Sequence, residues 1–371
     1  VSGPPRWETA RNLLCVRLDA LGDVLMTGPA IAALKRARPD RHVTVLTSPA
    51  GAAIAQYLPG IDALIVHRSP WVKATAPRAR VGDDRVLLAR LRTRDFDAAV
   101  IFTVYSQSAL PAATYCYLAG IPLRLAHCRE NPYGLLTDWA PETEPQQGVR
   151  HEVQRQLDLV ARVGARIDDD RLRLNVPAES FAKAQVLVAG LRLGRNARWA
   201  LVHPGASAPS RRYPPEGFAR AADLLVREHG CHVVYTGSAA ESALIAEIRA
   251  HMRSPSHSLA GRCDLGTLSA LIALAPVLVV NNTGPAHIAA AVGTPVVDLY
   301  ALTNPQHTPW RVESRVLYHD VPCKNCYKSV CPIGHHDCLR RVPPEAVARA
   351  AVELLEGTPQ GERVRVAQGA R

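Results

Sequence analysis

NLLCVRLDALGDVLMTGPAIAALK, residues 12 to 35, decides the fold. Its first seven residues, Asn12 to Leu18, are an apolar run of strand length. From Asp23 to Lys35 the apolar residues Val24, Ile31 and Leu34 then recur at helical spacing. A strand, a tight turn holding Gly22, and a helix make the opening unit of a parallel sheet. The same rhythm continues outward. Strands are expected at His42 to Leu46, Ile61 to Val66, Phe96 to Phe102 and Leu123 to Ala126, with helical stretches between them. Alternation of this kind implies a sheet wrapped on both faces. Pro141 to Gly148 reads as a loop, and His151 to Val163 as a helix with Val153, Leu157, Val160 and Val163 on one face.

A second series opens after Gly194. Strands are expected at Trp199 to Val202, His232 to Tyr235, Val277 to Val280 and Pro295 to Tyr300. Helices are expected over Pro215 to Glu228, Glu241 to Met252, Leu265 to Ala275 and Pro285 to Val292. The reading is therefore α/β, with two doubly wound Rossmann-like domains at residues 1–180 and 190–356, joined near Val176 to Asn196. A tail at 357–371 has no periodicity and is expected to be disordered. Open α/β sheets bind ligands at the carboxyl ends of their strands, so two such domains facing each other are expected to share a cleft.

A length of 371 residues exceeds what one such core sustains, and 47% hydrophobic with 21% charged residues is globular composition. The most apolar run, Leu268 to Val280, is broken by Ser269 and Pro276 and is too short for a bilayer span. The first residues show no basic-then-apolar secretory pattern, which makes a cytoplasmic location the expectation. The net charge of +11 comes mainly from scattered Arg, with clusters at Arg78 to Arg80, Arg211 to Arg212 and Arg340 to Arg341. No nucleic-acid-binding motif accompanies them, so nucleic acid is excluded as a partner. Phosphorylated ligands or the anionic face of the inner membrane are the better match.

Four turns carry chemistry. Asp23 follows Gly22 at the junction of first strand and first helix, where a carboxylate is presented at the sheet's edge and can act as a base, or can simply cap the helix. His203-Pro-Gly-Ala-Ser207 follows a strand and leads to Arg211. Gly205 allows close backbone approach, Ser207 offers a hydroxyl, and the Arg211 guanidinium suits phosphate oxygens, although most Arg pairs before helices are plain surface. Asn281-Asn282-Thr283-Gly284-Pro285-Ala286-His287 joins a strand to a helix whose free amides and dipole favour a diphosphate. His287 lies inside that helix and is equally suited to a structural role. Thr236-Gly237-Ser238 ends another strand and can border a nucleoside, with Glu241 toward ribose hydroxyls. Neither a Gly-x-Gly-x-x-Gly nor a Walker loop occurs, which argues against nicotinamide chemistry and ATP hydrolysis.

RLDALGDVLMTGPAIAALK at Arg17 to Lys35, HPGASAPSRRYP at His203 to Pro214 and NNTGPAHIAAAVGTPVVDLY at Asn281 to Tyr300 resemble, in order and spacing, the signature regions of glycosyltransferase family 9, the ADP-heptose:lipopolysaccharide heptosyltransferases. The resemblance covers roughly residues 12 to 355. It implies the GT-B architecture, a nucleotide-diphosphate-sugar donor held mainly by the second domain, ADP-heptose as the favoured donor, an inverting mechanism and no metal in catalysis. It makes Asp23 the general base. It puts Arg211 in the place of the family's basic phosphate ligand, and with the turns read above the candidate set is Gly22, Ser207, Arg211, Asn282, Thr283, Gly284, Pro285, Ala286 and His287 about the donor diphosphate and sugar, and Thr236, Gly237, Ser238 and Glu241 about the nucleoside. One position departs from the family: Asn282 stands where its heptosyltransferases have Asp, an amide that can bond hydroxyls but carries no charge. The acceptor is expected on the first domain, with Ser69-Pro-Trp71 and Thr103-Val-Tyr-Ser106 as candidate loops, and its identity, a lipopolysaccharide core, another glycan or a small molecule, stays open. A sugar-nucleotide epimerase and a non-catalytic nucleotide-sugar or glycan-binding module are the competing readings.

Five of the nine cysteines lie singly on or beside apolar elements. The other four form Cys323-x2-Cys326-x4-Cys331-x6-Cys338, with His335 and His336 in the last interval, and resemble a Cys-rich region found in part of the same family. A structural zinc ion on the four thiols, or with His335 or His336 as an alternative ligand, and reduced thiols in a folded loop are comparable expectations. Disulfides are disfavoured in a reducing cytoplasm.

Overall fold

The computed structural model describes residues 6–72, 81–194 and 197–357, and the chain divides into two compact units, Val1–Asn175 and Val176–Arg371. The basic cluster Arg78 to Arg80 and the expected tail after Gly357 lie outside the described residues.

The first unit holds strands β1 (Asn12–Arg17), β2 (His42–Thr47), β3 (Ala63–Val66), β4 (Ala98–Ile101), β5 (Leu123–Cys128) and β6 (Asp138–Pro141). Its helices are α1 (Leu21–Ala37), α2 (Pro49–Ala55), α3 (Gly82–Arg92), α4 (Leu110–Leu118) and α5 (Glu152–Ala161). All strands pair in parallel, in the order β3-β2-β1-β4-β5-β6. Apolar side chains of successive strand residues alternate between two cores. Leu13, Cys15, Val43 and Val45 pack on one face with Ile31 and Leu34 of α1. Leu14, Val16, Leu46 and Ile101 pack on the other with Leu87, Leu91 and Ala113.

The second unit begins with α6 (Ala178–Gly190) and continues through β7 (Trp199–His203), α7 (Pro215–His229), β8 (His232–Tyr235), α8 (Ser242–His251), β9 (His257–Ser258), α9 (Leu265–Leu274) and β10 (Leu278–Asn281). It ends with α10 (Gly284–Val292), β11 (Val296–Leu299), β12 (Ser314–Leu317), α11 (Asp337–Arg340) and α12 (Pro344–Gly357). Its sheet, again parallel, runs β12-β11-β10-β7-β8-β9. Read in chain order, both sheets follow one scheme. The chain builds outward from a first strand in one direction, then returns to build outward in the other. The reversal falls between β1 and β4 in the first unit and between β7 and β10 in the second, and the loops leaving those strands diverge to open a crevice.

Two expectations are corrected. The segment expected to join the domains contains α6, a helix of the second unit packed on α9, because Phe181 and Ala184 give it one apolar side. Gly22 is not in a special turn conformation: it lies in the first turn of α1 and is not among the residues with positive φ, so the strand enters the helix through Leu18 to Ala20 instead.

Candidate active site

In the first unit the site grows from Arg17, the last residue of β1, whose side chain is 1% exposed. A lone guanidinium there would be costly, and three carboxylates meet it. Nε lies 2.9 Å from Asp19 Oδ2, Nη2 3.3 Å from Asp23 Oδ1, and Nη1 donates to Glu152 Oε1 at 2.7 Å. Burial opposes the Arg17 charge, but Glu152, Asp19 and Asp23 outweigh it and hold its pKa above the ordinary range. Glu152 is fully buried at the start of α5, where Gln156 also donates to it at 2.6 Å. Asp23 remains partly exposed, and its Oδ2 accepts the Ala20 N–H at 3.1 Å, so this acid does cap the first turn of α1 while the buried cation fixes its orientation. Asp19, absent from the sequence-based candidates, has Oδ1 held by Gln107 Nε2 at 2.6 Å. Burial first, and the charge of Asp23, push its carboxyl up to about 6.

Asp19 also lines a cavity of about 260 Å³ at the β1–β4 reversal, together with Trp71, Thr103, Ser106, Gln107 and Pro111. Members of both loops expected to meet an acceptor, Ser69 to Trp71 and Thr103 to Ser106, are thus brought together there.

In the second unit Asn281, the last residue of β10, is fully buried and works as a staple. Its Nδ2 donates to Pro204 O at 2.7 Å and its Oδ1 accepts the Tyr213 N–H at 3.0 Å. The loop after β7 is thereby fixed to the loop after β10. Thr283 precedes α10 without capping its amides, its Oγ1 donating back to Asn281 O at 3.0 Å, and Thr283, Gly284 and Pro285 are partly exposed at the helix start. Arg211 ends a short 3-10 turn, Pro209 to Arg211, and is half-buried, while Ser207 is exposed. The residue before it, Ser210, binds the Cys-rich segment twice: its N–H to Ser329 O at 3.0 Å and its Oγ to Lys328 O at 2.7 Å.

Glu241 turns back over the Gly205 loop. Its Oε2 accepts the Ser238 N–H at 2.7 Å and the Ser238 hydroxyl at 2.8 Å, and a Cβ at Gly205 would fall 1.7 Å from Oε1. Gly205 therefore makes room for Glu241 as well as for any ligand. Thr236 is fully buried, and Gly237 O accepts the Gly261 N–H at 2.9 Å.

Asn282 faces inward. Its Nδ2 donates to His307 O at 2.9 Å and lies 3.4 Å from Asp298 Oδ2, with the residue 3% exposed. Asp298 on β11 is fully buried. Burial raises its carboxyl to about 7 against the opposing influence of the Asn282 amide and the Arg211 charge. His287 and Ala286 are buried within α10, the His287 ring 6.4 Å from that of His307. His203 is also buried, and burial lowers its pKa against the opposing charge of Glu241.

All four clustered cysteines are free thiols. Cys323 Sγ lies 3.6 Å from His335 Nε2. The Cys331 thiol is drawn down, against partial burial, by backbone N–H groups of His336, Ile333, Gly334 and His335. Burial pushes Cys338 up. Among the described residues no group of three or more His, Cys, Asp or Glu side chains stands close enough to hold a metal ion.

A family model for glycosyltransferase family 9 (heptosyltransferase) matches residues 85–336, the span holding the β7 and β10 loops just described. The chain belongs to glycosyltransferase family 9. The lipopolysaccharide heptosyltransferase 2 of Escherichia coli K12 is 26% identical to this glycosyltransferase over 93% of the chain and 98% of that protein. The lipooligosaccharide heptosyltransferase 2 of Campylobacter jejuni is 29% identical over 42% of the chain, which spans about half (51%) of that relative. The solved E. coli ADP-heptose lipopolysaccharide heptosyltransferase II superposes with a TM-score of 0.71 at 24% identity, covering 93% of the chain and 99% of that structure. The fold is thus that of the GT-B heptosyltransferases. No helix among the described residues of this family 9 enzyme is long and apolar enough to cross a membrane.

Proposed function

We propose that the chain is an inverting heptosyltransferase that moves heptose from ADP-heptose to a hydroxyl of a lipopolysaccharide-core-like glycan or a small-molecule acceptor, without a catalytic metal. In this reading the second unit holds the donor and the first supplies the base. Asp23 takes the proton of the acceptor hydroxyl as its oxygen attacks the anomeric carbon, on the face opposite the leaving diphosphate. Arg211 and the amides at the start of α10 take up the charge that develops on the diphosphate. Thr236, Gly237 and Ser238 border the nucleoside. The enzyme works in the cytoplasm, where its net charge of +11 favours the anionic face of the inner membrane.

The observation that carries this reading is Asp23 itself, partly exposed at the first turn of α1 and held in one orientation by a buried guanidinium, in a chain of family 9. A screen of nucleotide release across ADP-, GDP- and UDP-sugars tests it. Release from ADP-heptose that rises with a core-glycan acceptor is expected. Release from UDP- or GDP-sugars alone would reassign the donor, and interconversion of a nucleotide sugar without an acceptor would make the chain an epimerase.

A further inference from the structure

We propose that the Cys-rich segment of the second unit, residues 318–341, is a docking face that seats on an anionic phospholipid bilayer. This rests on the reading that the enzyme works at the anionic face of the inner membrane, and it names the surface that makes the contact. Exposed apolar side chains are ordinary when scattered singly and informative when gathered. Among the described residues of the second unit the exposed large hydrophobic ones are Val186 and four in this one segment, Tyr318, Tyr327, Val330 and Ile333. Val330 is 63% and Ile333 64% exposed. They lie on a stretch, Tyr327 to Gly334, in which every residue but Cys331 is exposed.

The stretch is held by its backbone. The Asn325 N–H donates to Leu302 O at 2.7 Å, the Tyr327 N–H to Thr303 O at 2.8 Å and the His319 N–H to Cys338 O at 2.9 Å. The carbonyls of Lys328 and Ser329 accept from Ser210. Val330 and Ile333 therefore stand out from a fastened loop, and most of the ordering cost of a contact is met before it forms. Because Ser210 joins this segment to the Arg211 turn, the proposed donor grip sits next to the docked surface.

Charge names the occupant. The segment carries Lys324, Lys328, Arg340 and Arg341 against Asp320 and Asp337, in a chain of net charge +11. Lys324 is paired with Asp320 at 2.9 Å, while Lys328, Arg340 and Arg341 are exposed. An open groove of about 600 Å³ runs beside them, lined by Arg212, Arg340, His336 and Tyr213, with Glu216 as the acid on its rim. Two guanidiniums on one groove suit the phosphodiester of a lipid headgroup. Aliphatic tips at the acyl boundary, tyrosines at headgroup level and basic residues on the phosphates are how a peripheral protein rests on a bilayer. A second copy of the chain would bring the same positive charge to this face and be repelled by it.

Co-sedimentation of the full chain with vesicles tests this, using phosphatidylcholine alone and phosphatidylcholine mixed with phosphatidylglycerol. Binding to the mixed vesicles alone is expected, and it should weaken with salt. Arg340→Ala with Arg341→Ala should weaken it by about tenfold. Val330→Ser with Ile333→Ser leaves the charge unchanged and should also weaken it by about tenfold, whereas Val330→Leu with Ile333→Leu should keep it. Arg171→Ala with Arg173→Ala removes two charges from the first unit and should change binding by less than about twofold. All the altered side chains are exposed, so urea midpoints should match the parent and separate lost binding from lost fold. An equal loss in the first-unit pair, or full binding by the serine pair, overturns the docking face and leaves net charge as the cause of membrane binding. A parent oligomer that the serine pair turns into monomer gives the face to a second copy and overturns it too. No binding by the parent overturns the face and the membrane reading together, while the nucleotide-release screen judges heptosyl transfer without vesicles.

Discussion

Arg17 and Asp19 meet at 2.9 Å, and the same guanidinium reaches Asp23 at 3.3 Å, so one buried cation orients both acids that follow the first strand. The two acids differ in what else holds them. Asp19 is tied to Gln107 of the β4 loop, and Asp23 to the backbone of its own helix. The first belongs to the wall of a cavity, the second to a partly exposed helix start where a proton can be taken up.

Asp23→Asn keeps one oxygen, enough for the Ala20 N–H or for Arg17 but not for both, and removes the carboxylate proposed as the base. Turnover should fall by about 10²- to 10⁴-fold while ADP affinity holds. Steady-state kinetics beside ADP titration checks this, and near-normal turnover would take Asp23 out of the mechanism.

Arg17→Met should destabilise the first unit by about 3–5 kcal/mol, because it leaves Glu152 fully buried and unpaired and brings Asp19 and Asp23 together without a cation. Urea unfolding measures the cost. A loss below about 1 kcal/mol would mean that the three carboxylates find other partners or protons.

Arg211→Ala should weaken ADP by about 1.5–3 kcal/mol, the range for a hydrogen bond to a charged group, and leave adenosine binding nearly unchanged. Calorimetry with the two ligands separates the cases. Equal losses would place Arg211 at the base or indicate misfolding, and no loss would put the phosphates elsewhere.

The buried Asp298 carboxyl, raised to about 7, gives a pH signature of its own. Its folded pKa lies above the unfolded value near 3.9, so between about pH 4 and 7 the folded chain keeps a proton that the unfolded chain releases. Its contribution to stability is therefore fully present below about pH 4 and is lost as pH rises toward 7. Asp298→Asn should match the parent at pH 4 and gain on it steadily up to pH 8. Urea midpoints across that range check the sign, and a variant that falls behind with rising pH would show the carboxylate to be stabilised in place.

Long apolar runs made the inner strands of both sheets legible, since β1, β4, β7 and β10 are buried on both faces. Of the edge strands only β3 was: β6 was not expected, β9 has two residues, and β12 only half-buried ones, so the last two leave no apolar run to read. Asp23, Arg211 and the Asn281 to His287 turn were legible because family signatures and strand-to-helix junctions mark them. Asp19 and Glu152 were missed for a physical reason. Each is a lone acid in the sequence, and its role exists only because Arg17 lies between them, with Glu152 drawn in from 135 residues away. The inward turn of Asn282 was equally hidden, since its neighbours Asp298 and His307 arrive on later parts of the chain.

Ser210 hydrogen-bonds to the carbonyls of Lys328 and Ser329, 118 residues downstream in the first case. Synthesis on the ribosome therefore lays down Arg211 long before its anchor exists. A nascent chain stopped after β11 carries most of the second sheet and the Asn281 staple, yet Ser210 in its guanidinium turn still lacks its two carbonyl partners. On the proposed reading, competence to grip a diphosphate is then acquired late in translation, together with the part of the core that Leu339, Val342, Val347, Ala351 and Leu354 supply.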